Sequence, residues 1–280
     1  MKRRSLLLAL AGSACRGERG RELVLARALV KLASEPSADE ERASWCLTEL
    51  QRLADEAERE LRVAPQRSLA VVLSQLIFER WGFVREVADT SLRFVFLPSV
   101  LERRRGSCVG LGTLFLALAD ALGKPASGVM RPGHFYVRVR EPGRALNVEL
   151  LRAGEVMPDA WYETRFPVPG GSAPEYGRAL SADEVLGVVE YNVGNERRRQ
   201  QRLGDARAAF ARAIRAFPEL SEAHASLGAI EQLLGNLDAA AQSYQRARDV
   251  NPHLPGVEQN LALLLAEREA AAGPTGGKPP

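Results

Sequence analysis

The chain has 280 residues, 46% of them hydrophobic, which is long enough for one large or two modest domains and apolar enough to give them a core. Lys and Arg outnumber Asp and Glu by only 38 to 35, a formal net charge of +3, so no dedicated basic surface for nucleic acid is expected. Three cysteines, Cys15, Cys46 and Cys108, are too few for a disulfide framework, and each thiol needs its own account.

In chain order, residues 1–20 read as a targeting segment. Met1-Lys2-Arg3-Arg4 precedes an apolar run from Leu6 to Ala11 and then Gly12-Ser13-Ala14-Cys15, the charged, greasy, small-residue order of an export signal. The run is too short to span a bilayer. Small residues immediately before a cysteine resemble a bacterial lipoprotein processing site, which implies that Cys15 becomes the lipidated first residue of a periplasm-facing envelope protein. Gly12 departs from that pattern, which usually has Leu there. The alternative is a cytoplasmic protein with a greasy start; a lipid anchor is the only membrane contact expected.

Residues 21–180 read as an α+β domain. From Arg21 to Leu61, Ala, Leu, Glu and Arg at helical spacing predict two helices divided at Ser34-Glu35-Pro36-Ser37. Pro65 opens a third, with Leu69, Val72, Leu73, Leu76 and Ile77 as its apolar stripe and Gly82 as its stop. Trp45 and Trp81 are expected to fill core space. The basic runs Arg103 to Arg105 and Arg197 to Arg199 have acidic neighbours and read as solvated faces. Leu111 to Leu122 is apolar on nearly every side, the pattern of a helix in the middle of a domain. Three short β runs follow, Ala126 to Met130, Phe135 to Arg140 and Leu146 to Leu150, divided by Pro-Gly turns. Several helices, one buried helix and a small antiparallel sheet give the α+β class. Pro167 to Pro174 reads as a surface loop.

Residues 181–271 carry a repeat. Placing Val193-Gly194 over Leu227-Gly228 aligns Ala206 with Ala240, Phe210 with Tyr244, Ala213 with Ala247 and Pro218 with Pro252, each pair 34 apart. Small residues where two helices touch, an aromatic at the contact and a proline after the second helix resemble the tetratricopeptide repeat. Pro255 to Ala271 reads as a capping helix. Two copies are too few to stand alone, so this all-α tail is expected to pack on the preceding domain. Residues 272–280 are Gly/Pro-rich and predicted to be disordered.

A nucleophilic thiol must be partly ionised, and a helix N-terminus with a nearby imidazole favours that. Cys108 has the first feature by prediction: Gly106 permits a turn, Ser107 can cap, and Gly110 and Gly112 admit close neighbours. The plainer reading is a small buried core cysteine. Of three histidines, His224 and His253 fall in the repeat tail and read as surface residues, leaving His134 at the start of a strand after Pro132-Gly133. Asn147 and Glu149 share one face of the next strand, and either could hold the imidazole in the tautomer that accepts the thiol proton. Gln75 is a candidate oxyanion donor against a solvent-facing reading. No zinc spacing is present and no cofactor is expected.

Val100-Leu101-Glu102-Arg103-Arg104-Arg105-Gly106-Ser107-Cys108-Val109-Gly110-Leu111, Leu122-Gly123-Lys124-Pro125 and Pro132-Gly133-His134-Phe135 resemble the SirB-type transglutaminase-core family, whose members also carry tetratricopeptide-like tails. The resemblance runs from about Leu69 to the end of the repeats. It implies a papain-like fold with a Cys–His–Asp/Asn arrangement, and hence a cysteine protease, amidase or cross-linking enzyme that takes a peptide or protein in a cleft beside Cys108. The usual Asp is replaced here by Asn147 or Glu149, and the use of Asn by papain-like enzymes favours Asn147. Many relatives lack the cysteine, so the alternative is an inactive scaffold whose repeats bind a protein partner.

Overall fold

The structure, a computed structural model, describes residues 23–33 and 40–272, with side chains to 268. Cys15, the break at 34–37 and the tail at 273–280 lie outside the described residues. Helices α1 (Val24–Ala33) and α2 (Glu40–Val63) each bury one stripe, Leu25, Leu29 and Val30 from the first and Cys46, Leu50, Leu53, Ala54 and Ala57 from the second. That spacing puts residues on a single helical face. Trp45, one position from Cys46, falls off the stripe and is 41% exposed, so it does not fill the core as its size suggests. Helix α3 (Leu69–Ser74) widens into a π turn over Gln75–Arg80 and stops before Gly82, whose φ of +69° suits glycine. Trp81 at that end is partly buried, with its Nε1 buried and unpartnered.

A short parallel pair, β1 (Val84–Arg85) and β2 (Arg105–Gly106), brackets α4 (Leu97–Arg103). The turn between α4 and β2 is Arg104 in the left-handed region, φ 49°. Its guanidinium lies 4.8 Å above the Phe83 ring and pairs with Glu49 at 2.5 Å. Arg104 is therefore not the solvated residue its basic neighbours suggest; it holds the turn that delivers the next helix.

That helix, α5 (Cys108–Ala121), begins three residues before its apolar run, and from Val109 to Ala121 every residue but Asp120 is buried. It lies on a four-stranded antiparallel sheet, β3 (Ala126–Arg131), β4 (His134–Glu141), β5 (Arg144–Glu149) and β6 (Glu155–Met157), in that spatial order. The Phe135 ring wedges between helix and sheet: a Cβ at Gly112 or at Gly128 would come within 2.5 Å of it. On the opposite face the Tyr136 ring stacks at 3.8 Å on Tyr162 of α6 (Asp159–Arg165). Neither β6 nor α6 is predicted above, because three and seven residues are too short for either period to register.

Five helices follow: α7 (Ala182–Arg199), α8 (Leu203–Ala216), α9 (Ser221–Leu233), α10 (Leu237–Val250) and α11 (Val257–Ala272). Ser181 and Glu184 form a reciprocal capping box at the start of α7. Gly194 receives the Phe210 ring, and 34 residues on Gly228 receives the Tyr244 ring, so the α7–α8 and α9–α10 pairs repeat one contact. Val185, Val188, Val189, Ala213 and Phe217 belong to the same core as α1, α2 and α5. The tail thus packs on the sheet domain through shared apolar surface.

A Cβ at Gly110 would lie 2.1 Å from the backbone oxygen of Phe94, an atom that cannot rotate away, whereas one at Gly204 meets nothing within 4 Å. In urea unfolding, Gly110→Ala is expected to lose about 3 kcal/mol, and Gly204→Ala to gain up to about 1 kcal/mol.

Candidate active site

Cys108 is the first residue of α5 and is partly exposed. Ser107 caps the helix, accepting from the Gly110 N–H at 3.2 Å and donating to the Phe94 carbonyl at 3.0 Å. Parallel pairing of Arg85 with Gly106 fixes the approach from the other side. The sulfur therefore sits at the positive end of a helix dipole, with the first unpaired N–H groups beside it.

His134 is placed by a two-residue turn, Pro132-Gly133, that closes the β3–β4 hairpin with Arg131 opposite His134 and Gly133 at φ +67°. Proline at the first corner and left-handed glycine at the second are what a type II turn requires. On β5, Asn147 opposes Arg138, which puts Glu149 two residues nearer the His134 end of the same face. His134 Nε2 lies 2.7 Å from Glu149 Oε2, with the two side chains only 4% and 1% exposed. The other carboxylate oxygen accepts from the Leu151 N–H at 2.9 Å, which fixes its angle. The remaining ring nitrogen, Nδ1, is left for Cys108, whose thiol is near enough to His134 to raise the pKa of the ring.

Rings hold the imidazole in plane. Phe166 stacks on it at 4.1 Å and 6°, and Tyr162 flanks the site at 6.2 Å and 25°. Burial alone would push His134 down, but hydrogen bonds to Cys108 and Glu149, with their charges, outweigh it and hold the ring's pKa up at about 9. The Tyr162 hydroxyl is buried and makes no hydrogen bond of acceptable geometry. Burial first, then the Glu149 charge, raises its pKa, so it stays protonated.

Asn147 takes no part in this chain of contacts. Its Oδ1 accepts from Arg138 Nε at 2.7 Å and its Nδ2 donates to Asp159 Oδ1 at 2.9 Å, so it ties the sheet to α6. Gln75 is exposed and bonded to Arg67, on the solvent side of its turn. His224 donates to the Pro218 carbonyl at 3.0 Å, and His253 lies against Gly170, both in the tail. Among the described residues no group of three or more His, Cys, Asp or Glu could hold a metal ion, and no helix is long and apolar enough to cross a membrane. Phe166 and Tyr162 line this candidate site and are missed by the sequence reading; three aromatics, Trp161, Tyr162 and Phe166, within six residues are the available signal.

The transglutaminase-like superfamily profile matches residues 44–190, more than half of the chain and all of this site. The chain belongs to that superfamily. Similar proteins include a UPF0162 protein of Vibrio cholerae serotype O1, 35% identical over 107 residues, 37% of this chain and 39% of the other. A UPF0162 protein of Pasteurella multocida is 26% identical over 198 residues, 69% of this chain and 73% of its own. One from Xylella fastidiosa is 33% identical over 136 residues, 44% of this chain and 43% of the other. The matches to the Vibrio and Xylella proteins thus span less than half of those proteins. Among solved structures, one titled as the crystal structure of menin, revealing the binding site for Mixed Lineage Leukemia protein, covers 91% of this chain and 73% of its own at 12% identity and a TM-score of 0.41. That likeness is too slight to bear on this chain.

In this transglutaminase-like site an ordinary histidine would lose its proton near 6.5, whereas His134 keeps it to about 9. The folded state therefore holds that proton more tightly than the unfolded one. Its stabilising contribution is complete below about 6.5 and is lost as pH rises through about 9. Urea unfolding from about pH 6 to about pH 10 is expected to show a loss on the order of 3 kcal/mol. In Glu149→Gln that slope flattens, and the His134 ring protons, followed by NMR, titrate at lower pH than in the parent.

Proposed function

We propose that the protein is a cysteine acyl-transfer enzyme acting on peptide or side-chain amides through Cys108, His134 and Glu149. The observation that carries this reading is the buried contact of His134 with Glu149 at 2.7 Å, beside a partly exposed Cys108 at the N-terminus of α5 that raises the pKa of the same ring. The Cys108 sulfur, its proton passed to His134, attacks the amide carbonyl and forms a C–S bond. The carbonyl oxygen takes the electron pair, and N–H groups at the start of α5 stabilise it. Collapse breaks the C–N bond, His134 gives its proton to the departing amine, and a thioester remains on Cys108. Water resolves it in an amidase or protease, an amine in a cross-linking enzyme. Glu149, in place of the Asp or Asn usual in the family, orients the imidazole and balances its charge.

A scaffold role alone gives no reason to bury an imidazole and a carboxylate that apolar side chains would replace at lower cost. We further propose that the chain is of the SirB type, that α7–α11 are tetratricopeptide repeats with a peptide-binding surface, and that Cys15 carries a lipid. The Cys15→Ser protein is then expected to move from the detergent to the aqueous phase on partitioning.

Iodoacetamide tests the site without a known substrate. Burial, with Glu102 adding and Arg42 opposing, pushes the Cys46 thiol up to about 12, so it serves as an inert internal reference. Peptide mapping is expected to show Cys108 modified at least about tenfold faster than Cys46. Both His134→Ala and Glu149→Gln slow Cys108, while Asn147→Ala leaves it unchanged. Equal labelling of Cys108 in the parent and in His134→Ala would remove the acyl-transfer reading.

A further inference from the structure

Between α6 and α7 the chain runs from Phe166 to Leu180 without helix or strand, and it is tied down at both ends of its course. At the start, Phe166 stacks on the imidazole of His134, and its carbonyl accepts from Arg131 Nε at 3.1 Å. Further on, the chain enters a corner of the tail made by the first turn of α9 and the turn after α10. There Glu175, fully buried, receives two donors on Oε1, the Ser221 hydroxyl and the Asn251 amide at 3.1 Å, both themselves buried. The neighbouring Tyr176 hydroxyl donates to Glu222. Gly170, at φ +76°, lets the His253 ring lie on its backbone; a Cβ there would come within 2.0 Å of that ring. Arg178 closes the segment with Glu219 at 2.8 Å.

These contacts interlock side chains of the tail with those of a Gly/Pro-rich stretch that turns at residues 168–171 and 173–176, as a receptor pocket holds a peptide. The corner reads an acidic residue through a buried pair of donors and the next residue through its hydroxyl. The grip is also incomplete. Oε2 of Glu175 and Oε2 of Glu222 are both buried without a hydrogen-bond partner, so the closed arrangement leaves two acceptors unmet and is weaker than its contacts suggest.

We propose that the Ser221–Asn251 corner is a docking site for a peptide bearing an acidic residue followed by an aromatic one, that residues 168–178 occupy it as a built-in ligand, and that a competing partner peptide pulls Phe166 off His134. The docking half deepens the proposal that the tail binds peptides, and the coupling half rests on the acyl-transfer reading. In this way occupancy of the tail is reported at the imidazole through nine residues of chain.

The test uses the full chain and a fluorescein-labelled synthetic peptide with the sequence of residues 168–178. By anisotropy, Glu175→Ala is expected to bind the peptide at least about tenfold more tightly than the parent, because its own segment no longer competes. Adding Asn251→Ala abolishes that gain. Gly170→Ala, which evicts the segment by a different clash, should behave like Glu175→Ala and serves if that variant does not fold. At saturation the His134 ring-proton signals shift as the Phe166 ring current is withdrawn, and Cys108 alkylation changes by at least about threefold. Folded variants that bind no better than the parent, or a gain that survives Asn251→Ala, would overturn the docking site. A bound peptide that leaves the His134 signals in place would overturn the coupling. If Cys108 resists iodoacetamide in every form, the acyl-transfer reading fails, yet anisotropy and the His134 signals still decide the docking.

Discussion

The enclosure of α5 is the constraint on which the other elements depend. A helix with no solvated face has to be surrounded, and here α1, α2 and α4, the β3–β4 face of the sheet, and α7 all lie against it. Close approach is possible because Gly110 and Gly112 present no side chain to the Phe94 carbonyl and the Phe135 ring. Such a helix reaches solvent only at its ends, and Cys108 stands at the N-terminal one, partly exposed. The tightness of the packing and the position of the thiol have one cause.

The two described cysteines stand in opposite surroundings. Cys46 lies on a buried stripe of α2 with apolar neighbours, and its thiol is held in the neutral form. Cys108 has a helix terminus behind it and an imidazole ahead. At the imidazole itself, desolvation opposes charge, and it loses to the neighbouring Cys108 and Glu149. Stacking by Phe166 then leaves the ring little freedom to turn away from either partner.

Much of this was legible in the residues. The all-apolar stretch after Cys108 shows a buried helix, and Gly/Pro turns divide the strands around His134, because both patterns are local and dictated by solvent contact. The 34-residue identity of small and aromatic positions likewise shows paired helices. What sequence left open was the choice between Asn147 and Glu149. Alternation puts them on one face, but the register with β4 and the competing claim of Arg138 and Asp159 on Asn147 are tertiary facts. The same holds for Arg104, whose left-handed turn and contact with Phe83 no charge run foretells, and for Trp45, whose size says nothing of its angle around α2.

The unbroken core also says where the molecule can be cut. The superfamily match ends at residue 190, inside α7, while the apolar cluster that begins at Leu23 continues through Phe217 and Leu220 to Ala223. A fragment trimmed to the conserved profile would leave half a helix and a raw hydrophobic wall facing water, an invitation to aggregate. Expression boundaries, fusion points and domain exchanges in this architecture belong past α10, since the core reaches Ala223 in α9 and Asn251 holds the buried Glu175, at a seam drawn by packing and not by sequence similarity.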